Sequence, residues 1–229
     1  MGTKLLICDL DNTLYDWVSY FVPSLYAMVD KVVEITNCNP ERLLDDLRAV
    51  HQRHHDVEHP FSLLETDLVK EIFPGLDLHQ VAKILDPALH AFNSTRKRTL
   101  QLYPGVREAL NCIVSSGIRI VAHTESKLPA VADRLDRLRI VGFFSRIYCR
   151  EAVKLIDIPA GYNGERLQRF PMSRVVELSL NQRKPDPMVL KEIYSNEHVS
   201  AAEVLYVGDS LARDIMMARE ASVMSAWAK

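Results

Sequence analysis

The stretch Ile7-Cys8-Asp9-Leu10-Asp11-Asn12-Thr13-Leu14-Tyr15 continues the apolar pair Leu5-Leu6 and sets two carboxylates one residue apart where that run ends. Side chains alternate along a strand, so Asp9 and Asp11 leave the chain on the same side just as a buried strand gives way to a loop. Carboxylates held that close repel each other unless a cation lies between them, which asks for a divalent metal. Oxygen-only ligands favour Mg²⁺. The same residues also suit a plain polar turn, because Asp and Asn are ordinary turn formers.

Three further stretches weigh against the plain turn. Thr124 follows the run Ile118-Arg119-Ile120-Val121-Ala122, Lys184 stands in Arg183-Lys184-Pro185-Asp186-Pro187, and Val204-Leu205-Tyr206-Val207-Gly208-Asp209 is followed by Asp214. Metal-dependent phosphoryl transfer needs a nucleophile, a proton donor, a hydroxyl for phosphate, a cation and a further acid for the metal. The four stretches supply each part once.

In this order the set resembles the haloacid dehalogenase superfamily. Asp9-Leu10-Asp11-Asn12-Thr13 matches its D-x-D-x-T motif, Thr124 the second motif, Lys184 the third, and Gly208-Asp209 with Asp214 the fourth. The resemblance covers residues 4 to about 227, with the segment between motifs one and two alike only in kind. It implies that Asp9 attacks a phosphate monoester and forms an aspartyl-phosphate. It also implies Mg²⁺ held by Asp9, Asp209 and the backbone carbonyl of Asp11, with Asp214 binding through water or orienting Lys184.

By the same resemblance Asp11 protonates the leaving alkoxide and then activates water, with Thr13 orienting Asp11 by a hydrogen bond. Lys184 supplies positive charge and Thr124 holds phosphate oxygens. An acid at Asp11 suits an alkoxide leaving group, whereas a halide needs none, so phosphatase is preferred over dehalogenase. The expected substrate is a small phosphorylated metabolite. Asp11-Asn12-Thr13-Leu14-Tyr15 also looks like the run in pyrimidine nucleotidases, which adds nucleoside monophosphates. A phosphosugar mutase on the same fold and a catalytically silent regulatory protein are the alternatives.

The chain has 229 residues, 48% hydrophobic and 25% charged, which suits a globular core with a smaller insertion. A net charge of -2 gives no electrostatic case for a nucleic-acid polymer or a membrane surface. Cys8, Cys38, Cys112 and Cys149 form no C-x-x-C pair, and Cys8 and Cys112 sit in apolar runs that suit buried thiols. With no signal peptide and no long apolar run, a cytoplasmic monomer or homodimer is expected.

After Tyr15 the apolar period turns helical. Trp17, Phe21, Leu25, Met28, Val32 and Ile35 mark one helix, and Leu43, Leu44, Leu47 and Val50 a second after Pro40. Leu64, Leu68 and Ile72 mark a third, and Leu78, Val81, Leu85, Leu89 and Phe92 a fourth. Residues 16–97 thus read as a helical cap inserted into a core of residues 1–15 and 98–229. His51, His55 and His59 share a helix face, open to metal, to substrate or surface contact, or to no special role.

Beyond Tyr103 strands alternate with helices, implying a Rossmann-like α/β core: a parallel sheet covered on both faces. Strand candidates cover 118–122, 144–148, 203–207 and, as a fifth, 222–227. Ligands bind beyond the carboxyl ends of such strands, where Asp9, Asp11, Thr124 and Asp209 all fall. Residues 150–183 exceed the usual family connection. Arg174–Ser179 alternates like a strand there, and the segment is either an ordered excursion near the site or a dimer contact, or a loop without a role.

Overall fold

The computed structural model describes residues 2–59, 61–150 and 169–229. The chain divides into two compact units, Met1–Trp17 with Leu100–Lys229, and Val18–Thr99.

The first unit is built on a six-stranded sheet: β1 (Leu5–Cys8), β2 (Arg119–Lys127), β3 (Arg146–Arg150), β4 (Val175–Leu178), β5 (Val204–Gly208) and β6 (Met224–Trp227). The order is β4-β3-β2-β1-β5-β6, and every pairing is parallel. β1 is central and buried along its whole length, as an unbroken Leu/Ile run requires when both sheet faces are covered. On one face Leu5, Ile7, Val121, Val204 and Tyr206 pack with Val189, Leu190, Ile193, Met217 and Ala218. Burial of this apolar surface is the main force fixing strand register, since a one-residue slip would turn each strand inside out.

The 174–179 stretch is therefore not an excursion. Val175–Leu178 pairs with β3 and forms one edge of the sheet, because its alternation is that of a strand with one covered face. Of the rest of the proposed excursion, 151–168 lies outside the described residues. The 222–227 candidate is the sixth strand in consequence.

In sequence order the described helices of this unit include Val106–Ser115, Leu128–Arg137, Pro187–Asn196 and Met216–Glu220. The first ends where Gly117, at φ 76, donates its N–H to Val114 O, and Ile118 donates to Ile113 O, closing the last turn through a left-handed residue. Cys8 and Cys149 are buried, but Cys112 is exposed, contrary to the expectation from its apolar neighbours. In that helix Leu110 is the buried residue, and Cys112 is two positions away, off the covered stripe.

The second unit is all helical: Trp17–Thr36, which begins one residue before it, then Pro40–His54, Ser62–Glu65, Asp67–Ile72, Leu78–Ile84 and Asp86–Thr99. Two of the four expected helices are broken. Thr66 is extended, at ψ 143, and its hydroxyl donates to Leu63 O, ending one helix and opening the next. The other break falls at Leu85, before Asp86-Pro87, where proline lacks the N–H that a continuous helix would need.

The histidine face also differs. The second helix stops at His54, and His55 takes a left-handed conformation at φ 48, so His59 leaves the helix line. Instead His54 and His59 stack at 3.5 Å, and each places Nε2 on Glu65, at 2.7 and 2.6 Å. Arg53 donates to the same carboxylate at 3.0 Å, while His51 Nε2 lies 3.2 Å from Ser62 Oγ. These contacts tie the helix end to Ser62–Glu65.

Candidate active site

Parallel pairing sets Cys8 opposite Val207 and opposite Ala122, so β1, β2 and β5 present their carboxyl ends at one edge. Asp9 is the first residue past β1 and Asp209 the first past β5. The Asp9 N–H donates to Val207 O at 2.9 Å, fixing this exit. The chain then turns at Asn12, which takes φ 58, a conformation Asn tolerates better than most residues. Asn12 Oδ1 accepts the Trp17 N–H at 3.0 Å, at the start of the first helix.

On the β5 side, Ser210 caps a wide π-turn over Leu211–Ile215: its Oγ accepts the Arg213 N–H at 3.2 Å, and its own N–H donates to Asp214 Oδ2 at 3.0 Å. Asp214 thereby folds back under Gly208. A Cβ at residue 208 would lie 2.4 Å from Asp214 Cγ, so only glycine fits in front of this aspartate. The Trp227 indole donates to Asp209 O at 2.7 Å and holds the other arm of the loop.

Lys184 joins the two sides. Its Nζ lies 2.5 Å from Asp9 Oδ1 and 2.8 Å from Asp214 Oδ1, with all three side chains buried. The Lys184 N–H donates to Glu125 Oε1 at 3.0 Å, which anchors the lysine segment beside β2. Burial opposes the ammonium charge, but Asp9, Tyr206 and Asp214 outweigh it and hold Lys184 well above its ordinary pKa. Burial lifts the Asp9 carboxyl to about 6 despite the nearby Lys184, and Asp214 adds to the rise. Asp209 is raised by burial and by the Asp214 charge.

Asp9, Asp209 and Asp214 each offer a carboxylate oxygen within 4.8 Å of the others. These three carboxyl groups outnumber the Lys184 ammonium, and a divalent cation would offset the excess of acidic groups. The donors are all oxygen, so the set fits Mg²⁺ better than a softer metal. The Asp11 carboxylate is not one of the three.

Thr13 corrects the sequence reading: its hydroxyl donates to Asp9 Oδ2 at 2.9 Å, not to Asp11. The tight turn at Asn12 sends Thr13 back under the strand end. Asp11 is held by other groups, with Tyr15 donating to Oδ1 at 2.8 Å and Ser126 Oγ to Oδ2 at 2.7 Å. Thr124 Oγ1 stands 3.4 Å from Asp11 Oδ2 and accepts the Ser126 N–H at 3.1 Å. It lies inside β2 rather than after it, just past the ladder to β1 and in the register break that follows His123.

Arg134, fully buried, brings its guanidinium to 3.5 Å from Asp11 Oδ1. Sequence reasoning missed Tyr15, Ser126, Arg134 and Tyr206. Arg134 carried a signal, since it stands three residues after Val131 and four before Leu138 on an apolar stripe. Tyr206 carried another, because a tyrosine within a buried strand must find a partner for its hydroxyl.

Comparison with known proteins gives the following. A family model for hydrolases, described as haloacid dehalogenase-like hydrolase, matches residues 3–222. A phosphoglycolate phosphatase from Pseudomonas syringae pv. tomato is 27% identical over 96% of this chain and 67% of its own length. A glyceraldehyde 3-phosphate phosphatase from Methanopyrus kandleri is 24% identical over 97% of this chain and 82% of its own. Among solved structures, the 2-haloacid dehalogenase of Pseudomonas syringae pv. tomato DC3000 shares the fold at a TM-score of 0.60 and 20% identity, covering 98% of this chain and 86% of that one.

Proposed function

The chain belongs to the haloacid dehalogenase-like hydrolase family, and from that premise we propose that it is a phosphatase hydrolysing a small phosphorylated metabolite through an aspartyl-phosphate, with Mg²⁺ as cofactor. The observation that carries this reading is the meeting of Asp9 with Lys184, Asp209 and Asp214 at the carboxyl edge of the sheet. Relatives named as phosphatases of phosphoglycolate and glyceraldehyde 3-phosphate support the substrate class.

Asp9, Asp209 and Asp214, with the Asp11 carbonyl, would hold Mg²⁺. Such an ion supplies charge neutralisation between an anionic nucleophile and an anionic ester. Asp9 attacks phosphorus through one carboxylate oxygen, and the phosphorus–alkoxide bond breaks. Thr13, donating to Oδ2, and Lys184, at Oδ1, fix the rotation of that carboxylate before attack.

Asp11 gives its proton to the departing alkoxide and takes one from the water that hydrolyses the acyl phosphate. Tyr15, Ser126 and Arg134 hold it in place. Thr124 and backbone N–H groups of the neighbouring loop bind the transferring phosphate oxygens, and Lys184 neutralises their charge.

Release of phosphate from a panel of phosphoglycolate, triose and sugar phosphates and nucleoside monophosphates, with Mg²⁺, tests the proposal beside Asp9→Asn. At least one ester is hydrolysed by the wild type, and the variant keeps its circular dichroism spectrum but loses at least about a thousandfold in turnover. Equal release by both proteins would remove Asp9 from its role.

A further inference from the structure

We propose that His123 and Tyr206 are positioning residues that brace Asp214 for the divalent cation, through a one-way chain of donors running from imidazole to phenol to carboxylate. The inference rests on the metal reading above and adds two residues that the four motifs do not contain.

β1 lies between β2 and β5, with Tyr206 opposite Ile7 and Ala122 opposite Cys8. Counting on from Ala122, His123 and Tyr206 fall on the same face of the sheet across β1. Both are completely buried. Their rings meet edge to face at 6.1 Å, the Tyr206 hydroxyl lies 3.4 Å from His123 Nδ1, and it lies 3.0 Å from Asp214 Oδ1.

Proton counting fixes the direction of the chain. Asp214 Oδ1 accepts from Lys184 Nζ and from the Tyr206 hydroxyl, which thereby spends its one proton on that oxygen. Towards His123 the same hydroxyl has only lone pairs to offer, so Nδ1 carries the hydrogen. Nε2 is then a bare nitrogen, in keeping with its buried position without a hydrogen-bond partner among the described residues. An imidazolium would strand a second N–H there and face the Lys184 and Arg213 charges. Burial first, then those charges, hold His123 neutral.

The brace has a definite effect on Asp214. Oδ1 accepts from Tyr206 and Lys184, and Oδ2 from the Ser210 N–H, so the buried carboxylate is held at three points. Without the phenol, Lys184 alone would set the Oδ1 side. Partners behind a metal-binding carboxylate commonly change metal affinity by about 10- to 100-fold.

Tyr206→Phe in the full chain keeps the ring and removes one oxygen. Calorimetric titration should show Mg²⁺ binding weakened about tenfold or more, with the loss of turnover recovered by raising Mg²⁺. His123→Leu should weaken Mg²⁺ binding less, and adding it to Tyr206→Phe should cost nothing further, because the two act in series. ¹⁵N NMR of the wild-type chain should find His123 as the Nδ1–H tautomer, a readout that does not depend on the variants folding. Unchanged Mg²⁺ affinity in Tyr206→Phe, or an Nε2–H tautomer, would overturn the brace while leaving the metal reading intact. A wild-type chain that binds no Mg²⁺ would overturn both.

Discussion

Gly208 shows how little room the acidic centre leaves. Asp214 occupies the space where a Cβ would stand, so Gly208→Ala must push the buried aspartate away or bend the strand end. Overpacking of this kind costs about 1–3 kcal/mol. The expected outcome is a lower melting temperature together with weakened Mg²⁺ binding, measured by thermal denaturation with and without the ion. A variant that melts normally and binds Mg²⁺ normally would mean that Asp214 has another resting place. At this scale the sequence was informative where spacing carries the chemistry. Asp9 and Asp209 were readable because the ends of parallel strands share an edge, while Lys184 and Asp214 came from the motif resemblance. The partner of Thr13 was not readable, since the turn at Asn12 decides whether that hydroxyl faces Asp9 or Asp11, and five letters do not record it.

Elements were legible by period and illegible at their breaks. Apolar stripes marked the helices of the second unit, but Thr66 and the Leu85–Pro87 junction each divided one expected helix in two. Val175–Leu178 shows the converse: its alternation was visible, yet its place in the sheet depended on pairing with a strand some 25 residues earlier. Glu65 is where the local contacts of the second unit can be tested. Burial pushes its carboxyl up, but hydrogen bonds from His54, His59 and Arg53 outweigh this and hold it at about 2, against an ordinary 4.5. A carboxyl depressed on folding contributes stability that is present above pH 4.5 and lost as pH falls towards 2. Solvent screening limits the contribution to about 1 kcal/mol. Glu65→Gln should therefore lower stability by that order at neutral pH in urea titrations, with the difference closing in acid. A difference that is constant with pH would show that the carboxylate charge contributes nothing.

At the scale of the molecule, the decisive feature is the strand order. With β1 at the centre and connections running outwards on both sides, the residues following β1 and β5 meet the last residues of β2 although they lie far apart in the chain. Alternating strand and helix signals imply a parallel sheet but not this order, so the α/β class and the region of the site could be read from sequence while the order could not. The buried supports could not, because Ser126, Arg134 and Tyr206 come from three elements whose meeting only the packed sheet determines. Among the described residues no helix is long and apolar enough to cross a membrane. The whole arrangement has one chemical purpose if Asp9 accepts a phosphoryl group. Acid-quenching the enzyme during turnover of a hydrolysed ester with Mg²⁺, followed by peptide mass mapping, measures this directly. The phosphoryl group should be found on the peptide containing Asp9; its appearance on a different side chain, or turnover with no phosphorylated peptide under conditions that preserve acyl phosphates, would contradict the account.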